Sequence, residues 1–76
     1  MSRSRVEIMV DILAVALTDA AKSKIALSTN LRDETVDMYL DLLVQEGLLT
    51  FWSYNNTYKT TEKGKRLIRK AEKIFM

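Results

Sequence analysis

Seventy-six residues make one small domain, and its composition already removes several functions. There is no Cys and no His, so disulfides, the common zinc and iron ligand sets, a thiol nucleophile and an imidazole base are all unavailable. The chain is therefore expected to be no enzyme and to carry no metal or cofactor, and its net charge of +2 turns attention to partners instead.

The charge is unevenly spread. Residues 1–21 hold two basic and three acidic side chains, and residues 22–47 hold three basic and five acidic. Residues 48–76 hold seven basic (Lys59, Lys63, Lys65, Arg66, Arg69, Lys70, Lys73) against Glu62 and Glu72. Such asymmetry points to an anionic partner for the last third. A chain this short buries only about 60% of its unfolded surface, and without disulfide or metal a second subunit is the stabiliser left to it. No apolar run approaches the ~20 residues that span a bilayer. Glu7 and Asp11 behind the basic start are unlike a signal peptide. The expected location is the cytoplasm.

A first helix is expected over residues 5–17. Ser4 followed by Glu7 is a capping box, in which each side chain satisfies a backbone donor of the first turn. Val6, Ile8, Met9, Val10, Ile12, Leu13, Val15 and Leu17 cannot all lie on one face, so this helix is covered on more than one side. Two arrangements satisfy that: a subunit interface along the helix, through Val6 and Val10, or a central position within one chain. Thr18 or Asp19 can cap a second helix over 20–29. Asn30 tolerates the left-handed conformation that ends helices, and Leu31 fits between the two helices. The connection to a third helix, 33–46, is then three or four residues long, as a helix-turn-helix requires.

A 100° step places Val36, Tyr39, Leu40 and Leu43 on the inner face of that third helix. Glu34, Asp37, Met38, Asp41 and Gln45 lie opposite, with Thr35 at the edge. Gly47 suits the residue after the cap in a Schellman ending, which sets Leu48 against Leu43. Residues 48–61 read as a hairpin around Asn55-Asn56 in a two-residue type I′ turn. In that register Tyr54 pairs with Thr57, Ser53 faces Tyr58, Trp52 faces Lys59 and Phe51 faces Thr60. Leu49, Phe51 and Tyr58 point inward, and Trp52 and Tyr54 outward. The last helix, 62–75, aligns Leu67, Ile68, Ala71, Ile74 and Phe75. Gly64 costs this helix roughly 1 kcal/mol relative to Ala, which argues for close backbone approach at the hairpin junction.

Helix, glycine exit, hairpin and Thr-Glu-Lys-Gly turn, in this order, give an α+β, mostly α winged helix-turn-helix: three helices, a two-stranded wing and a C-terminal helix in one domain, residues 1–76. Arg5-Val-Glu-Ile-Met-Val-Asp-Ile-Leu13, Lys22-Ser-Lys-Ile25, Thr29-Asn-Leu31, Tyr39-Leu-Asp-Leu-Leu43, Glu46-Gly-Leu-Leu49 and Tyr58-Lys-Thr-Thr-Glu-Lys-Gly64 resemble the small archaeal winged-helix regulators. These include the ten-kilodalton dimeric chromatin proteins of crenarchaea and related proteins of archaeal viruses and plasmids. The resemblance implies a dimeric DNA-binding protein with the third helix and the wing at the duplex. Two features set this chain apart. Its final helix spans only about 21 Å at 1.5 Å per residue, short for the antiparallel coiled coil of the chromatin proteins. Its third helix is acidic on the outer face, where neutral or basic side chains are usual.

The candidate contacts with double-stranded DNA divide by chemistry. Lys22, Ser23 and Lys24 suit phosphate at a helix start. Arg32, Thr35 and Met38 suit base edges, Arg32 on guanine and Met38 on a thymine methyl. Asn55, Asn56 and Lys59 form the wing tip and its flank, and Lys63, with Lys65, Arg66 and Arg69, adds a positive field. A homodimer seam would use Val6, Val10, Leu67, Ala71, Ile74 and Phe75. Glu34, Asp37 and Asp41 oppose DNA, each costing roughly 1 kcal/mol near a phosphate. They support an alternative, a protein-interaction module that uses the acidic face with Trp52 and Tyr54, residue types enriched at binding hot spots. A third possibility lays the basic last helix on an anionic membrane, although its apolar stripe is better used as core or seam.

Overall fold

The computed structural model describes residues 3–75, with Phe75 as backbone only. Helix α1 (Arg5–Val15), strand β1 (Ala20–Ala21), helices α2 (Lys22–Thr29) and α3 (Asp33–Gln45), strands β2 (Leu49–Trp52) and β3 (Thr57–Thr60) and helix α4 (Glu62–Phe75) follow in order. The strands form one antiparallel sheet in the order β1-β3-β2. The expected helix-turn-helix with its hairpin is present, and a short third strand joins it.

Local signals account for most boundaries. Ser4 Oγ accepts from the Glu7 N–H at 3.1 Å, so the Ser4 half of the capping box is formed. α2 ends at Asn30, whose φ of 57° is left-handed. α3 ends in a full Schellman motif: the Leu48 N–H donates to the Leu43 carbonyl at 2.8 Å and the Gly47 N–H to Val44 at 3.0 Å, with Gly47 at φ 73°. The corner between α2 and α3 is Asn30-Leu31-Arg32, three residues, with Leu31 packed partly into the core.

Three expectations at the level of elements are corrected. α1 stops at Val15 rather than Leu17, with Ala16 as its cap. α2 starts at Lys22 rather than Ala20, capped by Ala21 without a side-chain bond, so neither Thr18 nor Asp19 is its cap. The cause is β1: Ala20 and Ala21 pair with Tyr58 and Thr57, which commits their backbone to the sheet. In the hairpin, Leu49 pairs with Thr60, Thr50 with Lys59, Phe51 with Tyr58 and Trp52 with Thr57. That register is two residues off the expected one, and the turn is the four-residue loop Ser53 to Asn56, in which Asn56 alone has positive φ, 55°. A slip of two keeps every side chain on its expected face. Even so, Phe51 stays 41% exposed, since its side of the wing is covered by little beyond Tyr58 and the edge of α3.

The core is a single cluster. Ile12, Leu13 and Ala16 of the α1 end meet Ile25 of α2, Val36, Leu40 and Leu43 of α3, and Leu48 and Leu49 at the wing's base. Fully burying a Leu, Ile or Val contributes about 1.5–3 kcal/mol. α1 is not covered all round within the chain: Val6 is 44% exposed, and Ala14 is exposed as well. No helix among the described residues is long and apolar enough to cross a membrane.

Gly64 sits where the sequence predicted close approach. A Cβ there would lie 2.5 Å from the Leu48 carbonyl oxygen and 2.6 Å from Thr60 Cγ2. Helix propensity alone would make Gly64→Ala stabilising by about 1 kcal/mol, but overpacking against backbone costs about 1–3 kcal/mol. Gly64→Ala is therefore expected to lower the urea-unfolding free energy; an unchanged or raised midpoint would refute the close contact.

Candidate nucleic-acid interface

The helix-turn-helix corner sets the site. Because β1 delays α2, Lys22, Ser23 and Lys24 are the first three residues of that helix, where backbone N–H groups have no partner within the helix. Ser23 and Lys24 are exposed. Arg32 caps α3 from outside with extended backbone and an exposed side chain. Thr35 is half-buried, and Met38 is 61% exposed on the outward face. The starts of both helices thus supply cations and free donors.

Lys22 does not stand free. Its Nζ lies 2.7 Å from Asp37 Oδ1, so one of the three outer carboxylates of α3 is neutralised from the neighbouring helix. The hydrogen bond to Asp37 raises the Lys22 pKa above 10.5, with the nearby charges of Asp37 and Asp33 adding to it. A lysine fifteen residues before an aspartate follows no local pairing rule, so the pair is visible only in the fold. Glu34 and Asp41 remain exposed on the same face.

The wing stands beside the C-terminal half of α3. Phe51 and Tyr58 stack with centroids 4.8 Å apart and, with Asp41, Val44 and Gln45, line a cleft of about 250 Å³. Burial raises the Tyr58 pKa above 10.0, and Asp41 and Asp37 push it further, while Lys22 opposes them. Asn55 and Asn56 occupy the exposed loop, where Asn55 Oδ1 accepts from Thr57 Oγ1 at 2.7 Å. Lys59 is exposed on β3 opposite Thr50, not beside Trp52. Trp52 instead packs edge-on against Tyr54, centroids 6.1 Å apart.

Lys63 is not part of this arrangement. Its Nζ donates to the Glu46 carbonyl at 2.7 Å, at the C-terminal end of α3. Arg32 marks the other end, roughly 20 Å away along a helix rising 1.5 Å per residue. The expected seam residues also scatter. Val6 and Ile74 are exposed at 44% and 74%, Val10 and Leu67 are half-buried, and Ala71 at 3% is enclosed within the protomer and has no surface left for a partner. The Phe75 side chain lies outside the described residues. Arg3, to which the sequence assigned no role, bonds Asp11 at 2.6 Å and the Thr29 carbonyl at 2.8 Å, joining the N-terminal segment to the end of α2.

The family model described as winged helix-turn-helix matches residues 2–76. The chain belongs to the winged helix-turn-helix family. Among solved structures, this winged helix is similar to the crystal structure of Sso10a-2, a DNA-binding protein from Sulfolobus solfataricus. The TM-score is 0.87 at 31% identity, over 95% of this chain and 78% of that one. That likeness agrees with the resemblance seen in the sequence. No protein of curated function matches it.

Tyr58 reports on the α3–wing cleft. Its raised pKa means that the folded state favours the neutral phenol, so its contribution is intact below the ordinary value of 10.0 and is lost as pH climbs past it. Asp41→Asn is expected to move the Tyr58 midpoint down, followed by ¹³C NMR of the labelled ring. A midpoint indifferent to Asp41 would mean the carboxylate does not face the ring.

Proposed function

We propose that this winged-helix chain binds double-stranded DNA as a homodimer, in transcription regulation or as a small architectural protein. What carries the reading is the likeness, over 95% of the chain, to a protein that binds DNA. The geometry suggests how the parts divide. Lys24, Ser23 and the free N–H groups of α2 hold phosphate. Arg32 reaches base edges from the start of α3 and Met38 from its middle, and Asn55, Asn56 and Lys59 follow the backbone from the wing. Pairing of Lys22 with Asp37 removes one repulsive charge from the approach. Glu34 and Asp41 still favour a shallow dock led by the N-terminal end of α3. Support for a second subunit comes from Ile74, 74% exposed one heptad after Leu67 on α4.

Fluorescence polarisation with labelled duplexes, titrated with salt, tests this. Affinity is expected to fall with a log–log slope near −0.9 per phosphate contacted. Lys59→Ala should shallow that slope by about one contact, and Arg32→Ala should cost about 1–3 kcal/mol on a selected site. Asp41→Asn should tighten binding by about fivefold, since roughly 1 kcal/mol of repulsion is removed. Absence of binding at low salt would end the proposal. For the dimer, Ile74→Glu is expected to shift sedimentation to the monomer.

A second reading rests on the wing tip, where Tyr54 is 79% exposed and packed edge-on by Trp52. A preformed aromatic pair beside an acidic helix suits a basic protein partner. It would gain if DNA retention were negligible at ~150 mM salt while Trp52→Ala abolished capture of such a partner.

A further inference from the structure

On the flank away from the wing, α1, α3 and α4 enclose an open groove of about 510 Å³. Its floor is apolar, formed by Met9 of α1, Leu42 of α3, Leu48 of the Schellman turn and Leu67 of α4. Lys63, Arg66 and Lys70 line its α4 side. Their spacing of three and four residues sets them in one row along that helix.

The row is unbalanced. Of the two acids of α4, Glu62 and Glu72, neither lines the groove, and Glu62 is turned to Lys65, 3.0 Å away; this hydrogen bond and the charge of Lys65 hold the Glu62 pKa below 4.5. Among the described residues Arg66 and Lys70 make no ion pair, and Lys63 gives one donor to the Glu46 carbonyl. Like charges at these spacings destabilise a helix, and here they border an apolar floor on which Leu42 is 39% exposed. DNA does not suit the place: a phosphate backbone has no use for four apolar side chains, and the groove lies at the opposite end of α3 from Arg32.

We propose that this groove binds a small amphiphilic anion, a carboxylate on an aliphatic or aromatic body. The volume lies within the range of small-molecule pockets, about 300–1,000 Å³. The body covers Met9, Leu42, Leu48 and Leu67, and the head group meets Arg66 and Lys70 in charge-assisted hydrogen bonds. The Glu46 carboxylate, which also lines the groove, repels an anion from the α3 end and so directs the head toward Arg66 and Lys70. This site is independent of the proposed DNA contacts.

Decanoate below its micelle concentration is the probe, with decanol and decyltrimethylammonium as controls, titrated into the full chain by calorimetry and methyl NMR. Saturable binding is expected, with shifts at the methyls of Met9, Leu42, Leu48 and Leu67. The double variant Arg66→Gln, Lys70→Gln should weaken decanoate about tenfold, the scale of a lost charged hydrogen bond, and leave decanol unchanged. Because both side chains face the groove rim, the variant is checked for an unchanged unfolding midpoint. Three results would overturn the assignment: no saturable shifts, equal binding of the cationic amphiphile, or shifts centred elsewhere. Binding only by the Ile74→Glu variant would also overturn it, since the groove would then be a seam between subunits.

Discussion

Two consecutive threonines fasten the ends of three helices to one another. The Thr60 N–H donates to the Ala16 carbonyl at 2.8 Å and its Oγ1 to the Leu13 carbonyl at 2.6 Å, which occupies acceptors that α1 leaves unpaired at its C-terminus. The Thr61 N–H donates to Leu48 at 3.0 Å and its hydroxyl to the Gly47 carbonyl at 2.7 Å, while the same oxygen accepts from the Gly64 N–H at 3.1 Å. A hydroxyl both gives and receives, so Thr61 closes the end of α3 and caps the start of α4 at once. Gly64 completes the joint, because any Cβ would occupy the space of the Leu48 oxygen. A buried donor or acceptor left unpaired costs about 1–3 kcal/mol, so the enclosed Thr60 bond is the one water cannot replace, while the Thr61 bonds lie nearer the surface.

From that joint the placement of the surface follows. β3 leaves Thr60 as the central strand, flanked by β1 and β2. β1 is only two residues, yet it anchors the entry to α2 and thereby fixes which residues open that helix. Had α2 begun at Ala20, Lys22 would lie part-way through the first turn and not at its start. With Ala20 in the sheet, Lys22 meets Asp37 across the corner and Ser23 and Lys24 remain free. The wing is thus fixed at its base by Thr60 and unsupported at its tip, where Tyr54 to Asn56 contact little.

What the sequence disclosed and what it withheld separate along a physical line. Ser4, Asn30 and Gly47 act within four residues of themselves, through a cap, a left-handed φ and a Schellman turn, so their roles were legible. Gly64 was legible too, because a glycine placed against helix propensity needs a steric reason. β1 was not, since two alanines carry no periodicity and poor strand propensity; only the passing β3 makes them a strand. The hairpin register departs from the local signal because Asn-Asn suits a two-residue turn, whereas burial of Leu49 and Thr60 at the base sets the pairing from the other end. Faces survived that error because a slip of two preserves parity. Among the candidate contacts, the starts of α2 and α3 flank the three-residue corner, while the wing stands against the later half of α3. Charge in sequence does not reveal which end of α3 the last helix meets, so the position of Lys63 beside the Glu46 carbonyl and the Lys22–Asp37 pair are purely tertiary facts.

α3 also shows how one short helix serves unlike surfaces without conflict. Its inner stripe, Val36, Leu40 and Leu43, is fully enclosed, so the helix behaves as a rigid rod. Asp41 and Gln45 face the wing cleft, while Leu42 and Glu46 face the groove beside α4. Charge divides the same way: carboxylates dominate α3 and cations dominate α4, and among the described residues Lys22 alone forms an ion pair with an acid of α3. Met38 and Leu42 lie one turn apart on the same flank, the former facing outward and the latter in the groove floor. One buried stripe thus holds both in place, and the surface that presents Met38 and the groove that ends on Leu42 stay separate sites on one helix.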